Sequence, residues 1–236
     1  MKSDLGSIAA SLGALEDDVR RRMYLFIRDQ ARPVSRDEAA KEAGISRKLA
    51  AFHLDKLVDK GLLKAHYARL PGRRGPGAGR PSKLYEPEGG ELSLSIPERR
   101  YDLAGQILVD AIEGRSHEES SSAAARRVAR QAGEDLGREA RRTRRLRPAG
   151  PERALSVARD LLRDKGFEPY EGAEGELVLR NCPFHVLAQR APELVCGLNQ
   201  AFVEGLLRGL GNETVEAALE PQPGQCCVRL RAPAKR

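Results

Sequence analysis

The stretch that most constrains the fold is VSRDEAAKEAGISRKLAAFHLDKLVDKGLL, at residues 34–63. Ser35 and Glu38 have the spacing of a capping box, in which each residue satisfies a free backbone group at a helix start. Gly44 is suited to end that first helix, and Ser46 is suited to cap a second one. The pattern therefore predicts two short helices joined by a tight turn.

A tight turn lets the first helix hold the second at a fixed angle, as in the helix-turn-helix arrangement. Ala39, Ala40 and Ala43 are small, which suits a close crossing of the two helices. The second helix is then free to enter the major groove of double-stranded DNA, which admits one helix. We expect base contacts at its outward positions and, further along, contacts with phosphates or packing at the last two of these residues: Ser46, Arg47, Lys48, Ala51, Phe52, His53 and Lys56.

The next segment has the pattern of a β-hairpin with a long basic tip. KAHYARL and KLYEP are suited to strands, and the glycines and prolines of PGRRGPGAGRPS exclude a helix between them. Residues 71–85 contain no acidic residue. An arginine at such a tip is suited to a narrow minor groove. The candidate contacts are Arg73, Arg74, Arg80 and Lys83.

The excess of positive over negative charge is confined to the first part of the chain. Residues 1–147 contain 30 basic and 22 acidic residues, whereas residues 148–236 contain 11 basic and 12 acidic ones. An excess of this kind indicates a polyanionic partner for the basic region. Because the chain has no Trp and only 4% aromatic residues, it lacks the stacking residues typical of single-strand binders.

Hydrophobic periodicity predicts an α+β protein of three parts. Helices are expected over 5–30, 98–114 and 118–147, and their apolar faces exceed what one small domain covers, which favours a homodimer. Helices and short strands alternate after that, with strands expected at 167–171, 175–180, 214–220 and 226–231 and helices at 151–165 and 192–210. The predicted parts are a winged helix-turn-helix domain (1–95), a helical linker and dimerisation region (96–150) and a small α+β sensor domain (151–236).

No apolar run approaches the roughly 18 residues that a membrane helix needs, and the first residues lack the apolar core of a signal peptide. These features predict a cytoplasmic protein without a membrane partner. In a reducing compartment, cysteines are more often thiols or metal ligands than disulfides.

All four cysteines fall in the third part, at Cys182, Cys196, Cys226 and Cys227. Cys182 stands at a predicted turn in NCPFH, and His185 follows it closely. Thiolates from distant segments suit zinc or an iron–sulfur cluster, whereas small buried thiols that only pack are the other reading. If a strand begins at residue 226, alternation places Cys226 on the core face and Cys227 on the opposite face. The predicted ligands are therefore Cys182, Cys196 and one of the pair, with His185 or the remaining cysteine as the fourth.

Four segments together carry a family resemblance. GISRKLAAFHLDKLVDKGLL and GAGRPSKLYEP resemble the winged helix-turn-helix regulators of the ArsR superfamily. NCPFHVLAQRAPELVCGLNQAFVEGLLRGLG and PQPGQCCV resemble the branch of SufR-type iron–sulfur repressors. The resemblance implies dimeric repressors that bind palindromic operators and hold a cluster, 4Fe-4S or 2Fe-2S, on C-terminal cysteines. The chain departs from the family pattern of evenly separated cysteines, because none lies between 197 and 225.

The sequence thus predicts a transcriptional regulator whose operator affinity depends on an iron–sulfur cluster. The alternative is a winged-helix regulator that responds to zinc or a small molecule, in which the cysteines hold no cluster. An enzyme is not expected, since the chain has no Cys-x-x-Cys, no phosphate-binding loop and no Gly-x-Ser-x-Gly.

Overall fold

The computed structural model describes residues 5–68, 81–89, 93–146, 150–172 and 175–233, and the chain divides into two compact units, 1–94 and 95–236. Helices combine with two small antiparallel sheets in the described ranges, so the predicted α+β class is confirmed. Over the same ranges, no helix is both long enough and apolar enough to cross a membrane.

The N-terminal unit begins with two helices where the sequence pattern predicted one over 5–30. The helix breaks because Asp17 caps a new start, and its side chain accepts a hydrogen bond from the Arg20 backbone N–H at 2.9 Å. The elements of this unit are α1 (Leu5–Ala14), α2 (Asp18–Asp29), β1 (Val34–Ser35), α3 (Arg36–Ala43), α4 (Arg47–Asp59), β2 (Leu63–Ala68) and β3 (Ser82–Pro87).

Strands β2 and β3 form the predicted hairpin, in antiparallel register from Leu63 opposite Pro87 to Ala68 opposite Ser82. The two-residue strand β1 adds to the other edge of β3 and was missed by the sequence patterns. The sheet and helices α2–α4 enclose one hydrophobic core, built on the fully buried side chains Met23, Ile27, Leu54, Leu57 and Tyr85.

The C-terminal unit contains the helices and strands that the alternating pattern predicted, with shorter ends and one added helix. Its sheet is antiparallel in the order β4–β5–β7–β6. The elements are α5 (Tyr101–Glu113), α6 (Ser121–Thr143), α7 (Pro151–Arg163), β4 (Pro169–Glu171), β5 (Leu177–Leu179), α8 (His185–Arg190), α9 (Pro192–Gly209), β6 (Glu216–Leu219) and β7 (Val228–Arg231).

Helix α9 is the centre of this unit, and α6 packs directly on its backbone. A Cβ atom at Gly133 of α6 would stand 2.0 Å from the Phe202 carbonyl oxygen, and one at Gly205 of α9 would stand 2.0 Å from the Arg130 carbonyl oxygen. Only glycine allows so close an approach. Helices α5 and α6 thus share one core with α7, α9 and the sheet. A separate dimerisation role for residues 96–150 stays a prediction.

Candidate nucleic-acid interface and cysteine site

The turn between α3 and α4 forms as the local sequence predicts. The Ser35 hydroxyl accepts from the Glu38 N–H at 3.3 Å, and the Glu38 carboxylate accepts from the Ser35 N–H at 2.8 Å. Gly44 then adopts a left-handed backbone with φ +66°, and the Ser46 hydroxyl caps α4 by accepting from the Leu49 N–H. These local bonds fix where α4 begins and which way it leaves α3.

Most predicted contact residues on α4 are exposed. Arg47 forms an ion pair with Asp37 of α3, with 3.2 Å between Nη2 and Oδ2, and both side chains remain largely in solvent. The exposed predicted residues are Ser46, Arg47, Lys48, Phe52 and Lys56, and Ala51 is half-buried.

His53 takes the packing position, one of its two predicted outcomes, whereas Leu49 lies on the opposite side from the one that the pattern favoured. His53 is buried, at 6% exposure, so it packs inside the unit and is not presented to phosphates. Its Nδ1 has no hydrogen-bond partner among the described residues, and its ring lies edge-on to Phe52 with 5.4 Å between centroids. Leu49, predicted on the apolar side, is 43% exposed. Because His53 takes an inward position, Leu49 and Phe52 stand together on the outer surface.

Lys83 of β3 is engaged by α4 and not left free at the hairpin. Its Nζ lies 2.6 Å from Oδ1 of Asp55 and 5.3 Å from the ring centroid of Tyr85. The hydrogen bond that Lys83 donates to Asp55 raises the pKa of Lys83, so its ammonium group stays charged at neutral pH. The pair joins the hairpin to α4. The other predicted tip residues, Arg73, Arg74 and Arg80, lie outside the described residues.

In the C-terminal unit, three cysteines and a histidine line one pocket of about 180 Å³. The cysteines come from three separate segments, so only the folded chain brings them together. The pocket residues are Cys182, Cys196, Cys227, His185, Ala188, Gln189, Pro221, Gln222 and Gln225.

Each of these side chains is placed by a neighbouring element. Cys182 follows β5, and its carbonyl oxygen accepts from the His185 N–H at 3.1 Å, where α8 begins. Cys196 lies in the second turn of α9. Cys227 stands directly before β7, and its carbonyl oxygen accepts from the Glu220 N–H.

The burial of Cys226 confirms that it faces the core, but the prediction that Cys227 lies on the opposite face is wrong, because β7 begins at Val228 and not at residue 226. Strand alternation therefore does not apply to the pair, and both cysteines are buried. Cys227 lines the pocket. Cys226 is only 1% exposed and lies behind the pocket, where Asn199 Nδ2 donates to its sulfur at 3.0 Å. Its thiol also hydrogen-bonds to those of Cys182 and Cys227.

These contacts keep two thiols protonated. The hydrogen bond with Cys226, and then burial, raise the pKa of Cys182 far above its ordinary range. The hydrogen bond with Cys182 lowers the pKa of Cys226, but the bond with Cys227 and burial outweigh it and raise that pKa to about 12. Thiolates, not thiols, bind metals, so a metal group could bind here only if these thiols released their protons.

The donor types of the pocket fit a thiolate-bound metal group, since soft sulfur ligands suit zinc and iron–sulfur clusters. Within the described ranges, however, no group of three or more His, Cys, Asp or Glu side chains is arranged to hold a metal ion. A metal group could therefore be held here only if the thiols took up a different arrangement from the one described.

Three residues around the site were not recognised from the sequence. Asn199 is completely buried beside Cys226, and its Oδ1 has no partner within the described residues. The sequence feature that could have identified Asn199 is its position as a polar residue within the apolar run of α9. Asn181, buried beside Cys182, accepts a hydrogen bond from Arg99, 82 residues earlier in the chain. No local pattern indicates that pair.

Comparison with known proteins adds no family assignment. No protein-family model matches the chain, and a search of curated proteins found no match either. The resemblance to winged-helix regulators thus rests on the quoted residues alone.

Proposed function

We propose that this chain is a DNA-binding transcriptional repressor whose operator affinity depends on an iron–sulfur cluster held by C-terminal cysteines. The observation that carries the DNA-binding half is the order α3, tight turn, α4, antiparallel hairpin, with an exposed basic surface on α4. That order is the one expected of a winged helix-turn-helix, with α4 as the recognition helix and the hairpin as the wing.

Arg47 is the best placed residue for base recognition, at the first position of α4. Its ion pair with Asp37 is exposed, and such pairs contribute only about 0–1 kcal/mol. The guanidinium is therefore available for a bidentate contact with guanine. Lys48 and Lys56 are suited to phosphates, which supply most of the affinity.

The exposed pair Leu49 and Phe52 extends this surface with apolar contacts. Phe52 is 60% exposed on the same helix as the basic residues. An apolar side chain in the major groove contacts the methyl group of thymine. The proposed surface is therefore suited to a half-site that contains both guanine and thymine.

In the regulatory half, Cys182, Cys196 and Cys227 would hold the cluster, and His185 or Cys226 would complete the ligands. A bound cluster supplies sensitivity to iron supply and to oxidants. The chain supplies three thiols from segments that only the fold joins, and the buried Asn199 lies behind them, next to Cys226. The direction of regulation comes from the family resemblance: the protein with its cluster bound (the loaded protein) binds its operator more tightly than the cluster-free protein.

Exposed apolar side chains support a homodimer. Leu12 and Leu25 of the N-terminal unit are exposed, as are Val109 and Ile112 on α5 of the C-terminal unit. A two-fold dimer would cover such surfaces and present two copies of α4 to a palindromic operator.

A regulator that responds to a small molecule or to zinc is the second candidate. The amides of Gln222 and Gln225 line the pocket beside the thiols, which suits a polar effector. Under this candidate, protein with Cys182, Cys196 and Cys227 all changed to Ser would still respond to its effector.

The deciding experiment measures iron and acid-labile sulfide in protein purified without air, together with binding to duplexes selected from a random pool. We expect bound iron and sulfide in similar amounts, visible absorption, and selection of a palindromic site. A colourless protein that selects no duplex, or whose selected binding ignores both iron and Cys182→Ser, would refute the proposal.

A further inference from the structure

The loop that carries Cys182 is hydrogen-bonded to the first residues of the C-terminal unit. Asn181 Nδ2 donates to the Glu98 carbonyl oxygen at 2.9 Å. Arg99 Nη1 donates to Asn181 Oδ1 and, at 3.0 Å, to the Cys182 carbonyl oxygen. The Arg100 N–H donates to the Pro183 carbonyl oxygen at 3.1 Å. We call residues 98–100 and 181–183, joined by these bonds, the linker clamp.

The buried amide of Asn181 is fully used in this clamp. Besides Glu98, its Nδ2 also donates to the Gly166 carbonyl oxygen at 2.6 Å, and its Oδ1 accepts from Arg99. A buried side chain with all its partners in place resists small displacements, because each lost bond leaves a polar group without water. Residues 98–100 and 181–183 therefore move together or separate at a definite loss of stability.

The linker clamp lies close to the boundary between the two units in sequence and also adjoins the cysteine pocket. Residues 98–100 begin four residues after the boundary at Leu94 and lead into α5. The thiol of Cys182 lines the pocket, while the carbonyl oxygen of the same residue is held by Arg99. One residue thus contacts both the proposed cluster site and the first residues of the C-terminal unit, which lead into α5.

We infer that the linker clamp transmits the state of the cysteine pocket to the connection between the DNA-binding unit and the C-terminal unit. This inference rests on the proposed function. A cluster bound through Cys182 would draw its thiol into the pocket and away from Cys226, while Arg99 holds the carbonyl oxygen of the same residue. The clamp carries that change to residues 98–100. Arg99 and Asn181 are positioning residues that neither bind DNA nor hold the cluster.

The test compares full-length variants in the loaded and cluster-free states. For each protein, anaerobic reconstitution is followed by iron and sulfide analysis, and the dissociation constant for one selected duplex is measured in both states. Wild-type protein should show a ratio of cluster-free to loaded Kd between about 5 and 150, the usual range of allosteric coupling. Asn181→Ala and Arg99→Ala should keep wild-type iron content and near wild-type cluster-free affinity, while the ratio falls towards one.

Arg100→Ala is the matched control, because the Arg100 side chain pairs with Asp102 and only its backbone belongs to the clamp. It should keep the wild-type ratio. A wild-type ratio in Asn181→Ala and Arg99→Ala would overturn the inference while the proposed function stands. An equal loss in Arg100→Ala would also overturn it. Wild-type protein that binds duplex without any response to loading would remove the proposed function and this inference together.

Hydrogen exchange in the wild-type protein provides a second test that needs no variant. Loading should change the exchange rate of amides in residues 95–104 severalfold, above all at Arg100, whose N–H belongs to the clamp. Amides of the first turn of α6 serve as the internal reference. Unchanged exchange at 95–104 on loading would overturn the inference even if both clamp variants fail to fold.

Discussion

Replacement of Gly205 by alanine should strongly destabilise the C-terminal unit. The added Cβ atom would lie 2.0 Å from the Arg130 carbonyl oxygen and 2.8 Å from its carbonyl carbon. An ordinary carbon–oxygen contact is about 3.3 Å, so α6 and α9 must separate by roughly 1.3 Å. The obstructing atoms are backbone, which cannot turn aside as a flexible side chain would.

A gap of 0.5–1 Å already removes about a quarter to a half of the dispersion energy of each contact. Overpacking typically costs about 1–3 kcal/mol, and a rigid backbone obstacle belongs at the upper end. Alanine recovers about 1 kcal/mol through its higher helix propensity. We therefore expect a net loss of about 2 kcal/mol for Gly205→Ala, and a similar loss for Gly133→Ala, which would stand 2.0 Å from the Phe202 carbonyl oxygen. The double variant should lose less than the sum, since one displacement relieves both contacts.

The cysteines allow this loss of stability to be measured for the C-terminal unit separately from the N-terminal unit. All four belong to residues 95–236, so the labelling of thiols in increasing urea reports the unfolding of that unit alone. Gly105→Ala is the control, because this helical glycine has nothing within 4 Å of its added Cβ, and it should raise stability by about 0.5–1 kcal/mol. If Gly133→Ala and Gly205→Ala both stay within about 0.5 kcal/mol of wild type, the described approach of α6 and α9 is wrong.

Three further predictions concern the proposed DNA surface and the thiols. Arg47→Ala should relax base preference at one operator position and weaken binding by about 1–3 kcal/mol, measured by selection and titration against single-base operator variants. Lys83→Ala and Asp55→Ala should weaken DNA binding by similar factors and combine non-additively, because each releases the hairpin from α4; independent effects in a double-mutant cycle would contradict this. The raised pKa values of Cys182 and Cys226 make the folded, cluster-free state bind protons more tightly than the unfolded chain. Stability should therefore fall as pH rises above about 8.5, by up to about 1.4 kcal/mol per pH unit for each thiol, and Cys226→Ser should reduce that slope in urea titrations.

The two helices α3 and α4 and the tight turn between them were predictable because their signals are local. The bonds of Ser35, Glu38 and Ser46 join residues three apart, and Gly44 acts through its own backbone. The phase of α4 was less predictable. A leucine at position 49 and a histidine at position 53 reversed the usual preference for burial, because the packing of the whole unit decides which side turns inward.

The contacts of the cysteine site could not be predicted from local sequence patterns, because they join residues far apart in the chain. Alternation along a strand would have separated Cys226 from Cys227, but it holds only where the chain is paired as a strand, and β7 begins at Val228, after both cysteines. The backbone N–H of Cys226 instead donates to the Leu179 carbonyl oxygen, 47 residues earlier. The contact of Arg99 with Asn181 spans 82 residues. Such pairings depend on the topology of the sheet, and a single sequence contains no periodicity that reveals them.

The burial of Cys226 limits which class of ligand the proposed regulator could sense through its thiols. With a pKa of about 12, its thiol is much harder to deprotonate at neutral pH than an exposed thiol. A weakly bound ligand cannot offset that difference together with the loss of the hydrogen bonds among Cys182, Cys226 and Cys227. A thiolate-bound metal group can, since structural zinc sites contribute about 10–16 kcal/mol at pH 7. Under the proposed function, the pocket would therefore have two well-separated states, one with Cys226 protonated and no bound group and one with the metal group bound. A regulator built on such a pocket would respond to loss of the bound group and would be insensitive to small changes in pH near neutrality.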